Sequence, residues 1–286
     1  MSRIVVGTDG SAHAERALRW AVHEAELWSA MVELVHGYVI HPHAVMMGRS
    51  DRDLAEALMD TVIERNRAML DRVEWDATVV PLLASPTAAL LDAGEDADLI
   101  VVGSRGLGGF GELFLGATSY HTAAHASTPV AVIRGGPDSE ATDAARPIVV
   151  GVDDSRASRR ALCWALDEAE RRDVDLTLVH AYYAPAHPSL ARSASPEQLG
   201  ELRLAVRDRA ADVIEDVLDD VDGAAKVEMK RVVRAGSPAG VLLASAGAEG
   251  MLVVGTHGRS ALGRAVFGSV SHQCLHHATG PVIVVP

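Results

Sequence analysis
The stretch DADLIVVGSRGLGGFGELFLGATSYHTAAHA, residues 96–126, joins three kinds of sequence. An apolar run from Leu99 to Val102 reads as a buried strand. It ends in a burst of glycines, and a helical pattern follows from Ala117. Strand, glycine loop and helix in that order make a backbone loop able to hold phosphate.

The same layout recurs. VVGSRGLGGFGELFLGATS (101–119) matches VVGTHGRSALGRAVFGSVS (253–271), and IVVGTDGSAHAERALRWAVHEAE (4–26) matches IVVGVDDSRASRRALCWALDEAE (148–170). The ends match too, STPVAVI (127–133) with TGPVIVV (279–285). The chain is therefore two copies of one unit. Domains are expected over 1–136 and 146–286, joined by a Gly-, Pro-, Asp- and Ser-rich linker over about 135–146.

In the first copy, strands are expected near 3–8, 31–39, 76–82, 98–102 and 129–134. Helices are expected near 12–28, 51–72, 86–95 and 117–126. Near-continuous apolar strands suit a sheet covered on both faces. Alternating βαβ units give an α/β fold: two tandem, doubly wound domains, each a five-stranded parallel sheet flanked by helices, Rossmann-like. Ligands of such sheets bind beyond the carboxyl ends of the strands. There the acidic turns GTDGS and GVDDS meet the glycine loops.

Bulk composition narrows the class. The 286 residues are 48% hydrophobic, 23% charged and 4% aromatic, with a formal net charge of −13. That charge argues against a nucleic-acid or anionic-membrane surface. No apolar run approaches the ~18 residues of a membrane span. The N-terminus MSRIVVGTDGS begins a strand at once, so a cytoplasmic protein without a leader is expected. Cys163 and Cys274 lack metal spacing and read as reduced, buried thiols.

Three phosphate loops compete. A Walker A loop needs a Gly-Lys pair, and the chain has none. Gly106, Gly108 and Gly111 spell G-x-G-x-x-G, but after the fourth strand, and the second copy lacks the triplet. Both copies share a different spacing: Gly103, Gly106, Gly116 and Gly255, Gly258, Gly268, the last followed by Ser269. Glycines there admit positive φ and close approach of the backbone to phosphates.

This spacing, with VGxDxS on each first strand, resembles the tandem universal stress proteins of the ATP-binding type. The resemblance covers nearly the whole chain and implies ATP as ligand, with Mg2+ a candidate companion. It places Asp9 and Asp153, after the strand-ending Gly7 and Gly151, near ribose and phosphates. The competing role for these acids is an Asx turn before the first helix. Gly37 and Ala181 match the position whose backbone reads adenine. In the first copy the implied contacts continue through Gly103, Ser104, Arg105, Gly106, Leu107, Gly108, Gly109, Gly116, Ala117 and Thr118. In the second they are Gly255, Thr256, His257, Gly258, Arg259, Ser260, Ala261, Arg264, Gly268, Ser269, Val270 and Ser271. The Ser269 hydroxyl would reach a phosphate or cap the helix.

The first copy departs from the pattern: Ala117 stands for Ser269, Ala84 for Gly236, Leu107 for Arg259 and Glu112 for Arg264. A hydrogen bond to a charged group is worth about 1.5–3 kcal/mol, so the second copy should bind ten-fold or more tightly. His121/His125 and His272/His276 have i,i+4 spacing, but the pairs do not coincide in the repeat and no third ligand is spaced with them.

The resemblance implies a nucleotide-dependent regulatory module in stress response or growth control, under hypoxia- or dormancy-like conditions. Regulatory protein partners are unknown. Three alternatives stay open: a slow ATPase, an AMP- or cyclic-AMP-binding module, and a structural module with vestigial sites. No catalytic residue is assigned, since SGGxDS, HIGH and KMSKS are all absent. The apolar ends 129–134 and 281–286 invite edge pairing. Intramolecular antiparallel pairing through them, and a homodimer through helical faces, are expected.

Overall fold
In a computed structural model the chain is described over residues 2–39, 50–82, 85–106, 115–134, 147–184, 195–221, 227–248, 250–258 and 267–286. Contacts divide it into two units. The first holds 1–144 with 281–284 and 286, and the second holds 145–280 with Val285.

The first unit runs β1 (Arg3–Gly7), α1 (Ala12–Trp28), β2 (Met31–Val39), α2 (Asp51–Leu70), β3 (Trp75–Leu82), α3 (Pro86–Gly94), β4 (Leu99–Gly103), α4 (Ala117–His125) and β5 (Val130–Ile133). Its strands lie in the order β3-β2-β1-β4-β5, all parallel. The terminal strand β10 (Val282–Val285) adds antiparallel to β5, with Val282 opposite Val132 and Val284 opposite Val130. The second unit runs β6 (Ile148–Gly151), α5 (Arg156–Arg172), β7 (Leu176–Tyr182), α6 (Pro196–Asp219), β8 (Met229–Ala235), α7 (Pro238–Ala246), β9 (Met251–Gly255) and α8 (Ser269–His277). Parallel pairing orders it β9-β6-β7-β8.

Local chemistry accounts for the elements. Ser11 caps α1 by accepting from the Ala14 N–H at 3.2 Å, and Ser155 caps α5 through Ser158 at 3.1 Å. Pro86, Pro196 and Pro238 open their helices, where the missing N–H costs nothing. Both first helices end on a left-handed residue other than glycine, Ser29 and Asp173. Every residue of β4 and β5 is buried, as helices on both faces require.

One expectation about the first helices needs correction. Cys163 is exposed, whereas Cys274 is buried and its thiol is pushed up to about 12 by burial. The repeat register explains this, because Cys163 matches Arg19, also exposed, on the outer face of its helix. Trp20 is fully buried, but Trp164 is only partly so. In α1 the flank Arg16–Trp20–Glu24 is covered throughout; in α5 only Glu168 of that flank is buried.

Candidate functional site
Each unit has a cavity at the carboxyl ends of its strands, about 600 Å³ in the first and about 490 Å³ in the second. Their walls are built the same way. After β1 the chain turns through Asp9 and Gly10, which has φ +77°. Asp9 Oδ1 accepts from the Ser11 N–H at 3.0 Å, and Asp153 Oδ1 accepts from Ser155 at the same distance. Both acids thus form the Asx turn. Each also directs Oδ2 at the glycine loop: a Cβ at Gly106 would collide with Asp9 Oδ2, and one at Gly258 would lie 2.9 Å from Asp153 Oδ2. The turn and a place at the cavity wall belong to one carboxylate.

The loop after β4 is closed by main chain. Gly116 N–H donates to the Ser104 carbonyl at 2.8 Å, and the Ser119 hydroxyl donates to the Gly103 carbonyl at 2.6 Å. In the second unit Gly268 donates to Thr256 at 2.8 Å, and Ser271 to Gly255 at 2.5 Å. The glycine spacing follows from this closure. A Cβ at Gly103 would meet the His13 carbonyl at 2.6 Å, and one at Gly268 the Thr256 carbonyl at 2.9 Å. Positive φ is not the reason: Gly103, Gly106, Gly116, Gly255, Gly258 and Gly268 all lie outside that region. Lack of space for a side chain selects glycine at Gly103, Gly106, Gly255, Gly258 and Gly268, whereas a Cβ at Gly116 would meet nothing closer than 3.4 Å.

Gly116 and Gly268 are the N-caps of α4 and α8, and neither helix start has a side-chain cap. Ser269 is therefore the first helical residue rather than the cap. Uncapped first-turn N–H groups carry the positive end of the helix dipole, and Ala117 and Thr118, like Ser269 and Val270, line their cavities.

The opposite wall is apolar. Val35, Pro86 and Leu90 line it in the first unit, and Val179, Pro238 and Leu242 in the second. His36 and His180 stand there as well. Each donates Nδ1–H to a carbonyl 2.7 Å away, Thr8 and Val152 respectively, which leaves Nε2 as an acceptor. Sequence reasoning passed over both histidines, although the triplet LVH ends at the same place in each copy.

Gly7, Asp9, Gly37, Gly103, Arg105, Gly106, Gly116, Ala117 and Thr118 gather around the first cavity. Gly151, Asp153, Ala181, Gly255, His257, Gly258, Ser269, Val270 and Ser271 gather around the second. Ser104 and Thr256 are buried behind the walls, and Gly268 forms the loop closure. Leu107, Gly108, Gly109, Arg259, Ser260, Ala261 and Arg264 lie outside the described residues, as do Ala84, Glu112 and the 41–43 and 46–47 segments.

Among the described residues the two sites differ in charge. In the first unit Arg105 is joined electrostatically by His13, Arg16 and Arg134. Arg16 Nη2 lies 2.6 Å from His13 Nδ1. Burial, then Arg16 and Arg105, hold the His13 pKa below 6.5, with Asp9 opposing them. The matching residues of the second unit are Ala157, Arg160, His257 and Pro286. This cluster was not foreseen, because it is assembled from α1, the end of β4 and the end of β5. The histidine pairs sit on helix surfaces, with His121 and His125 stacked at 6.0 Å between ring centroids. Among the described residues no group of three or more His, Cys, Asp or Glu is arranged to hold a metal. Nor is any described helix long and apolar enough to cross a membrane.

Two doubly wound units, each with an acidic turn facing a glycine-closed loop, define a tandem, Rossmann-like α/β protein. The family model described as "Universal stress protein family" matches residues 1–134 and again 144–286. The chain belongs to the universal stress protein family. A universal stress protein of Mycolicibacterium smegmatis is 33% identical over 299 aligned positions, covering 99% of this chain and 96% of that protein. One from Mycobacterium tuberculosis is 31% identical, covering 98% and 95%. The crystal structure of a universal stress protein from Archaeoglobus fulgidus superposes with a TM-score of 0.69 at 18% identity, over 99% and 97% of the two chains. That likeness establishes the fold.

Proposed function
We propose that this chain is a nucleotide-dependent regulatory module that binds ATP in both units and acts through occupancy rather than turnover. The observation that carries this reading is the twofold convergence on one cavity. An aspartate, a glycine loop closed by main chain and an uncapped helix start face each other across about 600 and 490 Å³. Cavities of roughly 300–1,000 Å³ take ligands of nucleotide size. The apolar wall suits a base, and the helix start with its dipole suits phosphates.

One carboxylate per cavity, with no second acid on its wall among the described residues, suits Mg2+ carried in on the phosphates and not a cation caged by protein. Asp9 and Asp153 would hold it, or a ribose hydroxyl. Turnover, if any, is slow: no lysine lines either cavity among the described residues, and Asp9 and Asp153 are already engaged in turns. Cytoplasmic regulatory partners and a homodimer belong to the same proposal. Mass spectrometry of the gently purified native chain tests it. Two ATP per chain, or one at low loading, is expected. A chain that arrives empty and takes up neither ATP, AMP nor cyclic AMP would refute it.

A further inference from the structure
The two cavities differ at the apolar end. In the second unit the wall runs on from Ala181 to Tyr182 and Tyr183, and both line the cavity. Tyr183 is 73% exposed, one of few large apolar side chains so placed among the described residues. It sits just past the end of β7, on the same wall as Val179, Pro238 and Leu242 and across from the loop that follows β9. Among the described residues the first unit has no such rim: Tyr38 does not line its cavity, and the sequence has valine at position 39.

A flat aromatic ring at the mouth of an apolar slot has one obvious chemical complement, another flat ring. The phosphate end lies at the other side of the same cavity, by Gly255, Gly258 and the start of α8. A nucleotide laid between them brings its base under Tyr183. We propose that Tyr183 is a specificity-determining residue of the second unit, stacking on the base of a bound purine nucleotide. The first unit binds without that stack and discriminates less against ligands lacking a base. The inference rests on the nucleotide reading above. It adds to it that the second site selects by the base as well as by its phosphate contacts, whereas the first relies on phosphate contacts, Arg105 among them.

The test uses the full chain with three probes: ATP, inorganic tripolyphosphate and photoactivatable 8-azido-ATP. Base–aromatic stacking is worth a five- to roughly 150-fold change in affinity. Tyr183→Val, which installs the valine of the first copy, should weaken one of two ATP-binding phases about ten-fold and leave tripolyphosphate untouched. Tyr183→Phe should bind like the wild type, since the ring and not the hydroxyl is used. The azido label should fall on the peptide carrying Tyr182 and Tyr183 and be lost in the valine variant. ATP binding equal in Tyr183→Val and wild type would overturn the stacking role while leaving the nucleotide reading intact. An equal loss of ATP and tripolyphosphate would overturn it too, by showing a general disturbance of the wall. A wild-type chain that binds tripolyphosphate and not ATP would sink the nucleotide reading, and this inference with it.

Discussion

Asp153→Asn separates the two jobs of one carboxylate. In the native turn Oδ1 accepts from the Ser155 N–H at 3.0 Å, while Oδ2 faces the loop at Gly258. Asparagine keeps a carbonyl oxygen for the first job, and the turn tolerates either residue. Ser155 still caps α5 through the Ser158 N–H at 3.1 Å, and the Asp153 N–H still donates to the Ser158 hydroxyl at 2.8 Å. The fold should therefore lose well under about 1 kcal/mol, the neutral remainder of a charge-assisted bond. The second job is lost outright. An amide cannot hold Mg2+ as a carboxylate does, and its NH2 can only donate to a ribose hydroxyl from which the charged carboxylate would accept. A bond to a charged group is worth about 1.5–3 kcal/mol, which is roughly a 10- to 150-fold loss of affinity. Calorimetric titration of the full chain with ATP and Mg2+ should show one of two phases weakened by that factor. The melting temperature should move by no more than about 2 °C. Asp153→Ala should lose the same affinity and also melt a few degrees lower, because the turn goes with it. Wild-type ATP affinity in a folded Asp153→Asn chain would refute the assignment of Asp153 to the ligand.

Four further perturbations probe the scaffold around the sites. Gly255→Ala puts a methyl 2.8 Å from the Ala157 main chain, which cannot rotate away; calorimetry should show a loss of about 2–3 kcal/mol. Gly200→Ala in α6 meets nothing within 4 Å and should stabilise by about 0.5–1 kcal/mol. The lowered pKa of His13 means that unfolding takes up a proton between that value and 6.5, so this part of the stability is complete above 6.5 and is lost as pH falls through the window. Urea midpoints from pH 5 to 7 should show that slope, and His13→Gln should flatten it. Deleting 281–286 removes the antiparallel partner of β5, so amide exchange over 130–133 should accelerate strongly. Unchanged protection there would show that β5 does not depend on β10.

Legibility followed the kind of physics involved. Apolar runs such as LIVVG and VAVI specify fully buried strands by themselves, and β4 and β5 lie within a residue or so of where the runs place them. The glycine spacing was visible, but its cause was not. A collision of Gly103 with the His13 carbonyl exists only once α1 is docked on β4. The arginine group around Arg105 is similarly non-local, since Arg16 and Arg134, with His13 beside them, are brought together by α1 and the strand ends. His36 and His180 were legible and missed. A histidine ending an apolar strand twice, at one register, signals a main-chain brace, and each spans to the residue after the neighbouring strand.

Comparing the copies position by position separates scaffold from reader. The aspartate turn, the serine caps, the histidine braces and the loop closure recur with distances that match within a few tenths of an ångström. These are demands of the main chain, and neither copy escapes them. Several changes between the copies fall on the cavity linings: Arg105 against His257, Ala14 against Ser158, and Tyr183 in the second unit, where the first copy's sequence has Val39. Ser158 braces the Asp153 N–H, a contact its alanine counterpart in the first unit cannot make. A cluster of cations strengthens the hold on phosphates, and an aromatic rim strengthens the hold on a base. If both cavities take the proposed nucleotide, two sites tuned along different axes would hold it with different affinities. A ten-fold difference would correspond to about 1.4 kcal/mol. Between the two dissociation constants the chain would then be singly occupied, and above both doubly occupied. On the proposed function, a tandem chain built this way would report two thresholds of ligand concentration where a symmetric pair would report one.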